Sequence, residues 1–317
     1  MKLSPRALGL TCAVLTVLIW SSFIVVARAS AAHSLLPLDI GFLRIIGAGC
    51  VLLPWGWWLM RAQRQTSHIS GEPVGSLMGL SPLPLRITVL TGIFGSLLYA
   101  MLVYSAFFFA PAAHASVLMP GSLPLWTSLL AIVFLHEHIT RARAISLACI
   151  VLGDMLVGGA SLLQAFDGGD VWKGDVMFMC AAFFWSCYSV LVRRHALDPV
   201  RATIAITAFS CVSFLPIYAL ASYAGWVPSH LGSAPASEMV FQAIYQGVGS
   251  VVISGITFNV MIRHYGPVRS TMITALVPGL SALGAVVFLN EPMSLNLLAG
   301  LALVTCGILF GVRLPKP

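Results

Sequence analysis

The chain has 317 residues, of which 59% are hydrophobic and only 9% charged, against roughly 25% charged in ordinary soluble domains. That is too little polar surface to cover a globule in water, so the sequence reads as an integral membrane protein. A net charge of +7 invites a nucleic-acid partner, but the basic residues are spread over the loops between apolar runs, where they set topology, and that reading is excluded.

The apolar runs recur at close to the roughly 20 residues that cross the hydrocarbon, without the period-two alternation of a β-barrel strand. In lipid the backbone must satisfy its own hydrogen bonds, so the spans are helical. Ten are expected, near residues 8–28, 38–60, 86–110, 112–134, 141–163, 173–193, 201–225, 238–263, 267–289 and 293–312. The first run, Ala7 to Ala27, outlasts the roughly 7 to 15 residues of a signal core, so it reads as a span and not a cleaved leader. Seven cysteines lie mostly within the apolar runs, where a thiol packs as a small hydrophobe, and no disulfide framework is implied. The longest stretch between spans, Gln63 to Leu85, is too short and too rich in Pro, Gly and Ser for a soluble domain.

With the N-terminus in the cytoplasm, Lys2, Arg6, Arg61, Arg64, Arg86, Arg141, Arg143, Arg193, Arg194, Arg201, Arg263, Arg269, Arg313 and Lys316 fall on that side. Arg28 and Lys173 fall outside, and Arg44 lies within a span. This positive-inside bias predicts a multi-pass protein of the bacterial inner membrane with both termini cytoplasmic.

The chain also repeats itself. AIVFLHEHIT at Ala131–Thr140 and AVVFLNEPMS at Ala285–Ser294 place Glu137 and Glu291 154 positions apart. At the same spacing Gly95-Ser96 matches Gly249-Ser250, Pro124 matches Pro278, Phe134-Leu135 matches Phe288-Leu289, and Gly153 matches Gly307. Ala110-Pro111 and Gly266-Pro267 match with a short slip, and Trp20-Ser21-Ser22-Phe23 and Arg28 resemble Trp185-Ser186-Cys187-Tyr188 and Arg193. Pro37 and Pro54 likewise resemble Pro199 and Pro216. The expected organisation is a five-helix unit used twice, residues 1–165 and 166–317. Five is odd, so the second unit crosses the membrane in the opposite sense. Inverted repeats of this kind recur in transporters, whose halves exchange roles to open one central site to either side.

The tryptophan-serine start of each unit, the proline-containing fourth helix ending Phe-Leu-x-Glu and the glycine-bearing fifth resemble the EamA repeats of the drug/metabolite transporter superfamily. That resemblance covers almost the whole chain and implies an all-α protein whose ten helices enclose a central cavity with alternating access. More narrowly the chain is similar to bacterial aromatic amino acid exporters, which implies outward movement of phenylalanine, tyrosine, tryptophan and other neutral amino acids.

Candidate site residues follow from polar and aromatic groups at mid-span. Trp55, Trp57, Trp58, Trp172 and Trp226 fall at span ends, as interfacial tryptophans do. Trp20, Trp126 and Trp185 fall near the middle, where an indole N–H needs a partner. For Trp126 helix packing and cavity lining remain equal alternatives. The placement of Trp20 and Trp185 beside Ser21, Ser22, Ser186 and Tyr188 favours cavity lining. Tyr99 and Tyr104 lie five apart, so at most one points to the centre. Asn259, with Ser254 and Thr257 nearby, is the matching region of the second unit, where such residues also serve as bonds between helices.

His114 follows the Ala-Pro break that opens the fourth span. Pro120 and Pro124 there, with Pro267 and Pro278 in the ninth, mark moving gates or static kinks. The substrate-binding set expected is therefore Trp20, Ser21, Tyr99, Tyr104, His114, Trp185, Tyr188 and Asn259. Of ionisable groups within spans, Arg44 is expected as an anchor, and His114 and Asp154 as the sole coupling candidates, with no buried series of carboxylates. His136-Glu137-His138 lacks the spacing that sets two imidazoles on one helix face, so no metal is expected. No phosphate loop or nucleophile constellation occurs, so neither cofactor nor catalysis is expected. The implied partners are a small-molecule substrate and the bilayer, with the protein a monomer.

Overall fold

A computed structural model describes residues 5–31, 33–67, 75–136, 140–164, 169–274 and 276–312. Glu137 and His138, on which the repeat and the metal reading partly rest, lie outside them. Among the described residues there is no β-strand, only an isolated bridge between Ser76 and Ser81. The helices are α1 (Pro5–Ala31), α2 (Pro37–Ser67), α3 (Leu85–Ala106), α4 (Ala112–Leu135) and α5 (Arg141–Gln164). They continue as α6 (Val171–Arg194), α7 (Pro199–Tyr223), α8 (Ala236–Tyr265), α9 (Pro267–Leu289) and α10 (Leu295–Val312).

Eight helices among the described residues, α1 to α4 and α6 to α9, are long and apolar enough to cross a membrane. The expected spans at α5 and α10 are helical over 24 and 18 residues but fall outside that group of eight. The protein is a multi-pass, all-helical membrane protein.

The helices start where their sequences supply caps. Asp198 accepts hydrogen bonds from the backbone N–H groups of Val200 and Arg201, both at 3.1 Å, with Pro199 in the first turn of α7. Gly266, at φ +81°, ends α8 before Pro267 opens α9.

Packing between the two halves comes in matched pairs. The helix α1 lies against α8 and α9, and its counterpart α6 lies against α3 and α4. Likewise α2 packs on α8 and α7 on α3, while α5 and α10 pack on each other. In membranes small residues permit such close approach. A Cβ on Gly153 would stand 2.7 Å from the Gly300 carbonyl oxygen, and one on Gly300 2.8 Å from that of Gly153. Gly307 faces the Ser146 carbonyl across the same seam, so the repeated glycines Gly153 and Gly307 both lie where α5 packs on α10.

Regular helix fails at matched places. In α4 the four residues Met119 to Ser122 form a turn around Pro120, and the Ser122 hydroxyl donates to the Leu118 carbonyl at 2.6 Å. In α9 the regular helix stops at Ile273 and resumes at Leu276, beside Pro278. Both α3 and α8 contain π-helical turns, Ile93–Leu97 and Ala243–Ile253, enclosing the repeated Gly-Ser pairs. Such turns gather at functional sites. His136 and Asn290, which precede the two repeated glutamates, both adopt left-handed backbone, at φ 55° and 53°, to end α4 and α9.

Candidate functional site

The breaks in α4 and α9 adjoin a small cavity inside the bundle. Trp20 and Phe23 of α1, Tyr99 of α3, Met119 of α4, Trp185 of α6 and Val277 of α9 border it. Its volume, about 20 Å³, holds a water molecule but not an amino acid, so a solute of that size enters only when the walls separate.

The walls are aromatic. The rings of Trp20 and Trp185 meet edge to face with centroids 5.9 Å apart, and Tyr99 and Tyr188 lie 4.8 and 5.2 Å from Trp185. Phe258 closes the cluster 4.7 Å from Trp20. Trp20 donates through Nε1 to the Ser254 hydroxyl at 3.3 Å, whereas the Trp185 Nε1 is buried without a hydrogen-bond partner. A buried indole donor without a partner costs free energy, about 1–3 kcal/mol, and marks a place for an acceptor.

Behind Phe23 lies a buried cation. Arg44 donates to the Tyr104 hydroxyl at 3.1 Å and the Ser250 hydroxyl at 3.0 Å, and its guanidinium sits 5.8 Å from the Phe23 ring centroid. Tyr104 in turn donates a hydrogen bond to Gln246 Oε1 at 3.1 Å. Only 6% of Arg44 is exposed, and among the described residues its hydrogen-bond partners are neutral. On the other side of Trp185, Asn259 donates to the hydroxyls of Tyr188 at 2.7 Å and Thr203 at 3.2 Å, leaving its Oδ1 buried without a partner.

The expected residues therefore divide. Trp20, Tyr99 and Trp185 converge on the cavity, with Tyr188 and Asn259 one layer behind. Tyr104 faces the Arg44 network, so of the two tyrosines five apart one borders the cavity, and Arg44 ties three helices together. Ser21 does not border the cavity, and its hydroxyl donates to the Val17 carbonyl of its own helix at 2.8 Å. His114 is also elsewhere, with Nδ1 3.0 Å from Asp175 Oδ1. Trp126 packs edge-on against Phe183 at 5.4 Å, and its Nε1 is buried without a partner.

The expectation of no buried series of carboxylates needs correcting. Asp175, 3% exposed and paired with His114, joins Asp154, 6% exposed, on one groove between α4, α5 and α6. Asp175 sits one turn into α6, and nothing in the local sequence announces a partner 61 residues away.

The repeated glutamate has a function visible in its contacts. Glu291 accepts hydrogen bonds from the first backbone N–H groups of α4, Ala112 at 3.1 Å and Ala113 at 3.0 Å, and pairs with Arg28 Nε of α1 at 3.3 Å. Arg28 also donates to the Phe107 carbonyl. A carboxylate at a helix N-terminus meets unpaired donors and the positive end of the helix dipole. One residue of α9's exit thus fastens α1 and α4 at that end of the bundle.

The EamA-like transporter family model matches the chain twice, over residues 7–159 and 172–313. The protein belongs to the EamA-like transporter family. Among relatives of this transporter is the uncharacterized transporter YyaM of Bacillus subtilis, 24% identical over 71% of this chain and 72% of its own. An uncharacterized transporter of Archaeoglobus fulgidus is 23% identical over 87% of this chain and 88% of its own. One solved crystal structure superposes on the transporter with a TM-score of 0.61 at 22% identity, covering 98% of each chain, a likeness of fold.

Proposed function

We propose that this transporter exports aromatic and other neutral amino acids across the bacterial inner membrane by alternating access, moving them downhill. The observation that carries this reading is the central cluster of Trp20, Tyr99 and Trp185 with an unpartnered Trp185 Nε1 and the buried, carboxylate-free Arg44 behind it. A zwitterion with an aromatic side chain suits those groups. Its ring stacks on the indoles, its carboxylate is drawn toward Arg44 and Trp185 Nε1, and its ammonium faces the free Asn259 Oδ1.

The reading includes ten spans in two inverted five-helix units, residues 1–165 and 166–317, with both termini cytoplasmic and the monomer as the working unit. Matched packing of the two halves and matched breaks in α4 and α9 support it, since broken helices near the midplane commonly flank transporter sites. Separation of those half-helices is the movement that enlarges the cavity.

A second reading, a proton-coupled exporter of drugs or metabolites, is favoured by the His114–Asp175 pair and Asp154 within the spans. Liposomes containing only this protein decide between them. Counterflow of labelled phenylalanine, unchanged by an imposed pH gradient, is expected. Arg44→Gln should erase the preference for phenylalanine over phenylethylamine, which lacks the carboxylate, and Trp185→Ala should reorder phenylalanine, tyrosine and small neutral amino acids. Accumulation that follows the pH gradient and disappears in His114→Ala favours the second reading.

A further inference from the structure

The groove that contains Asp154 is separate from the central cavity and unused by the proposed transport cycle. It holds about 400 Å³, twenty times the central cavity's 20 Å³, which is ample for a drug-sized organic molecule. It opens on the outer face of the bundle beside Met155 and Val176, which are 65% and 44% exposed. In a membrane-spanning protein that face meets lipid.

Its wall combines two chemistries. Trp126, Phe183 and Phe184 supply aromatic rings, Phe183 standing 5.4 Å from Trp126 and 5.6 Å from Phe184. Asp154 supplies a carboxylate, 6% exposed, whose two oxygens are both buried without a hydrogen-bond partner. A buried acid without partners is costly to ionise, and an incoming cation offsets that cost. Aromatic faces bind the same class of ligand through their quadrupoles. Asp175, on the same wall, is already engaged by His114, which leaves Asp154 as the group in need of a counter-ion.

We propose that this groove binds amphiphilic amines from the lipid phase, the protonated nitrogen at Asp154 and the apolar body against Trp126, Phe183 and Phe184. A bare lipid chain would fill the apolar wall but leave Asp154 as it is, so charge complementarity selects the amine. Asp154 lines the groove but both of its oxygens are occluded, so binding requires the carboxylate to turn toward the ligand. This is a site in addition to the amino acid route, and it stands or falls independently of that route.

The test uses purified full-length protein in lipid nanodiscs and equilibrium binding of labelled 4-phenylbutylamine, with 4-phenylbutanol as the neutral isostere. Saturable amine binding is expected. Asp154→Asn should weaken it roughly tenfold or more, the scale of losing a charge-assisted hydrogen bond. Phe183→Ala should weaken it a few-fold. The alcohol should bind weakly and equally to the native protein and Asp154→Asn. A thermal melt reports whether Asp154→Asn remains folded, and Asp154→Glu, which keeps the charge, should restore binding in part. The proposal is overturned if the amine does not bind saturably, if folded Asp154→Asn binds it as the native protein does, or if the alcohol competes as well as the amine, the signature of a slot for lipid chains only.

Discussion

The two ends of the bundle are held in different ways. At the end where α1 finishes and α2 begins, Glu291 and Asp39 are each held by several hydrogen bonds. Glu291 joins α4 to Arg28, and Asp39, fully buried, accepts from the hydroxyls of Tyr218 and Ser229 and from the backbone N–H groups of Leu36 and His230. At the opposite end Asp198 caps α7, and its pair with Arg263 is long, 3.4 Å, with side chains 43% and 66% exposed. Arg193, the counterpart of Arg28, lines a cavity of about 260 Å³ beside them. Buried, multiply bonded carboxylates are stiff fastenings, whereas exposed ion pairs yield at little cost. Under the alternating-access cycle proposed above, we read this contrast as a closed gate at the Glu291 end and a side ready to part at the Asp198 end.

Substitutions at the two ends should separate by size. Asp39→Ala leaves two hydroxyls and two amides facing a void, and a loss of about 3 kcal/mol or more is expected in denaturant unfolding of the micelle-embedded protein. Glu291→Ala should cost about 2–3 kcal/mol, because Arg28 is left half-buried beside two unpaired amides. A smaller loss, about 1 kcal/mol, is expected for Asp198→Ala, which deletes an ordinary helix cap. Arg263→Ala should change stability by less than about 0.5 kcal/mol, with no added effect of salt beyond that. If Arg263→Ala proves as damaging as Glu291→Ala, the two ends are equally fastened and the distinction drawn here is wrong.

Much of this arrangement could be read before any coordinates. Helix positions followed from apolar run length, and Trp20 and Trp185 were recognisable as central because a mid-span indole needs a partner. The prolines foretold where α4 and α9 break. What escaped sequence reasoning depended on contacts between distant segments. Glu291 was conspicuous as a repeated rare acid, but its partners are backbone amides of Ala112 and Ala113, which no side-chain pattern reveals. Arg44 was expected as an anchor, yet its place beside Phe23 depends on Ser250 in a π-helical turn that shifts the register of α8. Asp175 carried no local sign of its pairing with His114, and Ser21 was expected at the site although its own helix takes the hydroxyl.

The most direct test of the gate assignment is side-selective thiol labelling of Met119→Cys, a position that borders the central cavity, in an otherwise cysteine-free, transport-active protein oriented in sealed vesicles. The account predicts that the native gate admits a membrane-impermeant reagent from the Asp198 side only, at a rate protected by phenylalanine, and that Glu291→Ala adds labelling from the Arg28 side. Labelling of the native protein from the Arg28 side alone, or indifference of the pattern to Glu291→Ala, would contradict it.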